Sequence, residues 1–390
     1  TPRQPCQRDG SWSAGRRYRS LILPTKSQGP SLEANMKTGA LAIDAMGGDR
    51  GPSEVVDGIA LAYEANQVPE RLIVVGREEI LTPLLQAKGL TGKDFLSVHH
   101  AEEVIGMDEK PTDTLRRKRN SSMLQGIELV KENRAQAILS CGNTGSLMAG
   151  GTVRLRPLDG IERPALATVM PGPRRNGKWC LLDAGANPDS KPEQLVHNAI
   201  LGSQYMNAAH NVSQPKVGLL SIGTEEGKGG QRIKETHNLL QSIGTIINYH
   251  GLIEGFQVYN DVVDVVVCDG FVGNILLKGS ESLFHAILNI LKEEIEETPM
   301  RKAGALLAKG AFKGMKSRLN PEEFGAAPLL GLKGHVLKAH GSSNCFSFAS
   351  AIKIAKELLQ YDVIDGISKD LEKSNVILQR IKESNATPAT

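Results

Sequence analysis

Short β-rich runs alternate with helical patterns from residue 40 onward, at Ala40–Asp44, Arg71–Val75, Ala137–Ser140, Trp179–Asp183, Lys216–Ser221 and Asp264–Cys268. Such alternation predicts parallel strands joined by helical crossovers, a three-layer α/β/α arrangement. Nearly every run ends in a Gly-rich polar turn: Asp-Ala-Met-Gly-Gly-Asp at 44–49, Gly-Asn-Thr-Gly at 142–145, Asp-Ala-Gly-Ala-Asn at 183–187, Gly-Thr-Glu-Glu-Gly-Lys-Gly at 223–229 and Asp-Gly-Phe-Val-Gly-Asn at 269–274. In an open α/β sheet, ligands bind at the carboxyl ends of the strands, so the turns are expected to converge on one cleft. With 390 residues, the chain is long enough for two lobes on either side of it.

Glycine permits close backbone approach, and N–H groups at a following helix N-terminus attract anions. One such turn is an ordinary βα connection; five in one chain argue for a shared site. The 223–229 turn has three residues between its first two glycines and Gly after Lys228, so it is not a Walker A loop. No G-x-G-x-x-G follows the first strand, which removes the usual dinucleotide fingerprint. The turns suit bare phosphate or a phosphate ester.

Composition narrows the class further. The chain is 40% hydrophobic, 23% charged and 4% aromatic with 41 Gly, the profile of a globular α/β protein. No window approaches the ~18 uncharged apolar residues a membrane-spanning helix needs. Net charge is +3, but unevenly placed: residues 1–35 carry +4, residues 299–321 carry +6, and the remainder is −7. The first 35 residues lack periodicity and lead into Met36, which reads as a start residue; we expect an extension here, either a tag or upstream translation, or a basic organelle-targeting peptide. The five cysteines show no C-x-x-C and no paired spacing, so neither a disulfide framework nor a metal site is indicated, and a reducing compartment fits.

Seven ordered words between residue 40 and about 385 resemble the acyl-acyl carrier protein–phosphate acyltransferases of bacterial phospholipid synthesis. They are Ala-Ile-Asp-Ala-Met-Gly-Gly-Asp from 42, Arg-Arg-Lys-Arg-Asn-Ser-Ser-Met from 116, Gly-Asn-Thr-Gly-Ser-Leu-Met from 142, Leu-Leu-Asp-Ala-Gly-Ala-Asn from 181, the 223 turn, Cys-Asp-Gly-Phe-Val-Gly-Asn from 268 and Lys-Ala-His-Gly-Ser-Ser-Asn from 338. Val272 and Ser146 stand where many members carry Thr and Ala. The resemblance implies an isocitrate/isopropylmalate dehydrogenase-like fold over residues 36–390, a homodimer, and no cofactor. It further implies transfer of a long-chain acyl group from acyl carrier protein to inorganic phosphate, with the acyl phosphate passed on, for example to a glycerol-3-phosphate acyltransferase.

That reaction needs a cradle for the phosphate dianion, a donor for the developing oxyanion and a dry slot for the chain. Lys228 is the only cation within the five turns and suits either phosphate or the thioester carbonyl; the resemblance implicates it in catalysis, together with Asn274 as a neutral amide donor. Asn143, Thr144 and Gly145 open a helix as an anion site requires. Gly223, Gly270 and Gly273 belong to the same turns, with His340 a further phosphate donor. Asp183, Asn187 and Asp269 would repel phosphate unless they orient Lys228 or a turn amide, so they are read as supports. Cys141 raises an acyl-enzyme route, but phosphate is itself a nucleophile and direct transfer is preferred.

Two basic features remain. Arg116, Arg117, Lys118 and Arg119 form a patch suited to an acidic carrier protein. Between Pro299 and Pro321 the cations interleave with Met300, Leu306, Leu307, Phe312 and Met315 at near-helical spacing. This describes a basic amphipathic helix or hairpin, placed in a helical region at 281–325, able to lie on an anionic membrane. The resemblance likewise implies a cytoplasmic enzyme held peripherally at the membrane. The competing readings are a phosphate acetyltransferase-like enzyme using acyl-CoA, a decarboxylating dehydrogenase and a nucleic-acid binder; the last lacks aromatic interleaving, and no nucleic-acid partner is expected.

Overall fold

The computed structural model describes residues 39–174, 177–225, 228–319 and 325–386. A seven-stranded sheet contains β1 (Ala40–Asp44), β2 (Arg71–Gly76), β3 (Leu96–His100), β4 (Ala137–Ser140), β5 (Ala165–Leu166), β11 (Ala326–Leu330) and β12 (His335–Ala339), in the order β3-β2-β1-β4-β12-β11-β5. A five-stranded sheet contains β6 (Thr168–Pro171), β7 (Lys178–Leu182), β8 (Lys216–Leu220), β9 (Asn248–Ile253) and β10 (Val265–Val267), in the order β6-β7-β10-β8-β9. Both sheets are parallel except at β11, β5 and β6. All six predicted strands are present within a residue or two of the expected bounds.

The central strands are apolar at successive positions because both faces are covered. In the large sheet, Leu41, Ile43, Leu139 and Leu337 face one core with Val56, Ile59 and Phe348, from α1 (Pro52–Glu64) and α11 (Cys345–Leu359). Ala42, Ile138 and Val336 face the other core with Leu124, Ile127 and Leu147, from α4 (Ser122–Lys131) and α5 (Thr144–Leu155). The small sheet divides the same way: Cys180, Leu182, Val265 and Val267 turn to α6 (Pro192–His210), and Leu181 and Val266 to the opposite side. Ala167 joins the sheets, its N–H donating to Pro328 O at 2.9 Å as the chain leaves β5 for β6.

This topology sets the turns after β1, β4 and β12 side by side in one lobe, and those after β7, β8 and β10 side by side in the other. Helix α8 (Gly270–Glu296) starts at the end of β10 and spans the gap. A Cβ on Gly273 would stand 1.9 Å from Asp183 O, and one on Gly270 2.8 Å from Asn187 O. Two turns farther along, Lys278 lies within electrostatic reach of Lys338 and His340 at the end of β12. Replacing Gly273 by Ala must push α8 off the 183 turn; we expect a loss of about 1–3 kcal/mol, the usual range for overpacking, read as a lower Tm. An unchanged Tm would show that the two backbones are not in contact.

Candidate active site

The 183 turn is built around a buried carboxylate. Asp183 Oδ1 accepts N–H bonds from Leu166 (3.1 Å), Gly185 (3.1 Å) and Ala186 (2.8 Å), and Oδ2 accepts from the Asn187 amide (2.6 Å) and its Nδ2 (3.0 Å). Burial pushes the carboxyl above its ordinary range while these donors pull it back. Asn187 Nδ2 also donates to Pro164 O at 2.8 Å. Both residues therefore shape the turn, which packs against Asn274 of α8. A Cβ on Gly185, which has φ +136°, would lie 3.4 Å from Asn274 Cβ and 3.6 Å from its Oδ1. Asn274 is exposed, within the first turns of α8 and not at its cap.

The cap is Asp269, whose Oδ1 accepts from Val272 N at 2.8 Å. Its Oδ2 is bound to Arg232 Nη2, and the same guanidinium reaches Asp189 Oδ1 at 2.8 Å. Asp269 is thus neutralised before it can repel a phosphate. Arg232 lies in the first turn of α7 (Gly230–Ser242), one turn after Lys228, and ties the 223 loop to the start of α8. Lys228 itself is exposed, folds its Cγ to within 2.9 Å of the Cβ position of Gly223, and makes no ion pair among the described residues. At the base of that loop, Ser221 Oγ is buried without a hydrogen-bond partner.

Across the cleft, Asp44 is fully buried and accepts from Ser122 Oγ (2.6 Å), Ser140 Oγ (2.6 Å), Gly47 N (3.1 Å) and Met46 N (3.3 Å), which fixes the glycines of the first turn. Asn143 caps α5, Oδ1 accepting from Ser146 N at 2.8 Å while Nδ2 donates to Met107 O (2.5 Å) and Glu109 O (3.2 Å). Its side chain is occupied, and what Asn143, Thr144 and Gly145 offer an anion is the helix N-terminus. Ser146 Oγ is 3.1 Å from Thr114 Oγ1, so this buried hydroxyl has a partner.

His340 is exposed; its Nδ1 accepts from Ser342 N (3.2 Å) and lies 2.7 Å from Ser342 Oγ, and desolvation with Lys278 and Lys338 nearby holds the imidazole below its usual range. Cys141 is 4% exposed, and burial pushes its thiol up to about 12, far from a ready nucleophile. Cys141, Cys180 and Cys268 are free and buried. No group of three or more His, Cys, Asp or Glu side chains able to hold a metal occurs among the described residues.

The basic patch adjoins the first lobe's turns. Arg116, Arg117 and Arg119 are exposed at and just beyond the end of α3 (Pro111–Arg117), but Lys118 is engaged by Glu109 Oε1 (2.5 Å) and Val104 O (2.7 Å). Glu109 also belongs to the loop held by Asn143. The second basic segment forms α9 (Pro299–Leu307) and α10 (Lys309–Leu319), folded beyond the end of α8. Met300 is 84% exposed, Leu306 71% and Leu307 90%, whereas Phe312 and Met315 are half-buried. Arg301 is paired with Glu294 and Glu297, so the +6 of this segment is partly balanced by α8. Among the described residues, no helix is long and apolar enough to cross a membrane.

Arg232 and Lys338 were missed by sequence reasoning. Arg232 sits inside a helix, away from the turn words; Lys338 interrupts the apolar run of β12 two residues before His340, a signal that could have been read.

Among solved structures, a phosphotransacetylase from Streptococcus pyogenes shares the fold, with a TM-score of 0.57 and 15% identity over 82% of this chain and 94% of that chain. The EutD phosphotransacetylase from Staphylococcus aureus matches with a TM-score of 0.51 and 14% identity, over 83% and 95%. At such identities the likeness establishes the fold. Sequence relatives are nearer. The phosphate acyltransferase of Halothermothrix orenii is 42% identical over 85% of this chain and 98% of its own length, and that of Caulobacter vibrioides 41% identical over 88% and 95%. A family model described as "Fatty acid synthesis protein" matches residues 40–365. From the first strand to the start of the last helix, then, the chain belongs to the fatty acid synthesis protein family, that of the phosphate acyltransferases.

Proposed function

We propose that the chain transfers a long-chain acyl group from the thioester of an acyl carrier protein to inorganic phosphate. A phosphate oxygen attacks the thioester carbonyl carbon, the resulting oxyanion collapses, the C–S bond breaks and the thiolate leaves with the carrier. The observation that carries this reading is that strand-end turns lie side by side in each sheet while α8, starting at the end of β10, brings Lys278 within electrostatic reach of His340 at the end of β12. Phosphate is already a dianion and a thiolate is a good leaving group, so no strong general acid or base is required. What the cleft must supply is charge and position. Lys228, exposed and Gly-flanked, is free to move onto the substrate, and Asn274 offers a neutral amide at the start of α8. The high-lying thiol of Cys141 favours direct transfer over an acyl-enzyme.

The exposed arginines at 116, 117 and 119 favour an acidic carrier protein over acyl-CoA, because they flank the loop that Asn143 and Lys118 anchor beside the cleft. The apolar tip of α9 and the cations around it favour peripheral contact with an anionic membrane on the cytoplasmic side, where the acyl phosphate would be consumed by an acyltransferase. Ile275, Leu283, Ile287 and Ile290 expose a stripe along α8 that a second copy would cover in a homodimer.

Acyl phosphate formation from long-chain acyl carrier protein should fall about 100–1000-fold in Lys228→Ala and about 100-fold in Asn274→Ala, the range for losing a transition-state donor. Turnover at the wild-type level in both variants would refute the site. In flotation with anionic vesicles, a Leu307→Glu, Phe312→Glu variant should stay in the unbound fraction, and 1 M salt, where the Debye length falls to about 3 Å, should weaken wild-type binding. Equal flotation of variant and wild type would contradict membrane contact by this hairpin.

A further inference from the structure

Lys338 is the least expected charge in the molecule. It occupies the penultimate position of β12, between the buried residues Leu337 and Ala339. Its ammonium bonds only to carbonyls, Cys141 O at 3.4 Å and Ala339 O, and forms no ion pair with a carboxylate among the described residues. Asp44 is close enough to act on it electrostatically, but its oxygens are already taken by two hydroxyls and two amides. A largely desolvated cation with only carbonyl partners is costly unless a counter-charge completes its shell.

The neighbours of Lys338 add to the imbalance. His340 follows it by two residues, and its Nδ1 accepts the Ser342 N–H, which leaves the ring proton on Nε2 as a donor. Lys278 acts on both from α8, its ion pair among the described residues being with the half-buried Glu281 at 3.0 Å. Cys141, whose carbonyl holds Lys338, and Gly341, next to His340, border a small recess shared with Gly47, Gly48, Arg50 and Glu54. Three basic side chains from two lobes act on one another electrostatically here, opposed by Asp44, Asp49 and Glu281.

We propose that Lys338, His340 and Lys278 hold the phosphate group of a substrate between the lobes, Lys338 being the half-buried cation of that subsite and Lys278 closing it from α8. This rests on the acyl-transfer reading and divides its labour: phosphate lies against the end of β12, leaving Lys228 to the thioester carbonyl. The ligand chemistry is a phosphate dianion, and it has two sources, inorganic phosphate or the phosphate of the carrier's phosphopantetheine arm.

Binding to the full chain can be followed by phosphorus NMR with inorganic phosphate and, separately, with 4′-phosphopantetheine. Lys338→Met should weaken binding of one of these probes about 10–100-fold, the cost of a lost charge-assisted hydrogen bond, whereas Lys338→Arg should keep most of it. Loss for inorganic phosphate alone, matched by a higher KM for phosphate with the acyl-donor KM unchanged, identifies the attacking substrate as the occupant. Loss for 4′-phosphopantetheine alone identifies the carrier's arm. Wild-type affinity for both probes in Lys338→Met overturns the proposal. Should that variant fail to fold, Lys278→Met, on an exposed helix face, must reduce binding of one probe at least 3-fold, and no reduction is equally fatal. No acyl donor is present in these titrations, so a wild-type protein that binds phosphate but transfers no acyl group would remove the acyl-transfer reading and leave the subsite standing.

Discussion

The backbones of the 183 turn and of the first turn of α8 lie so close that Gly270 and Gly273 have no room for a side chain. Everything at the cleft depends on that approach. It is maintained from below by Asp183, whose two oxygens gather five N–H donors from Leu166 and residues 185–187, and from the side by Arg232 on Asp269. Each carboxylate here is consumed in holding backbone, which lets a cleft rich in aspartate still receive an anion. The result is a long helix fixed at one end and directed across the gap between the sheets, with Asn274 near its root and Lys278 farther out.

The same rule operates in the other lobe. Asp44 collects two hydroxyls and two amides, and Asn143 spends its whole side chain on capping α5 and holding the loop at 107–109. Polar residues in the turn words are chiefly structural; backbone amides and a few cations are left to meet the ligand. That division leaves Lys228, Asn274, His340 and the two lysines at 278 and 338 as the groups proposed to meet the substrates. Positive charge outside it is sorted by location, with arginines beside the cleft at 116–119 and a partly balanced basic hairpin at the far end of α8.

Much of this was legible in the sequence. The central strands announced themselves because parallel strands buried on both faces read as unbroken apolar runs, and their ends because glycine and asparagine cluster there. Strands at the margins did not. Leu96–His100 is largely polar, Ala165–Leu166 is two residues long, and Ala326–Leu330 contains Pro328, at a position the two-residue β5 leaves out of its pairing with Leu329 and Leu330. Single-residue roles were harder, because an N-cap and a ligand contact draw on the same residue types. Asn143 looked like an anion-site residue and acts as a cap, Asp269, read as a support, caps α8, and Asn274 lies inside that helix with its side chain exposed. Arg232 gave no local signal, since its importance comes from β8 and β10 being neighbours in the sheet.

The central claim is that this cleft joins a carrier-bound acyl group directly to phosphate. The most direct test supplies long-chain acyl carrier protein together with phosphate labelled throughout with oxygen-18, and weighs the acyl product by mass spectrometry. Attack by a phosphate oxygen on the carbonyl carbon keeps every labelled oxygen, so the account predicts an acyl phosphate carrying the full label. Free fatty acid bearing solvent oxygen, or an acyl group left on the protein when phosphate is withheld, would contradict it.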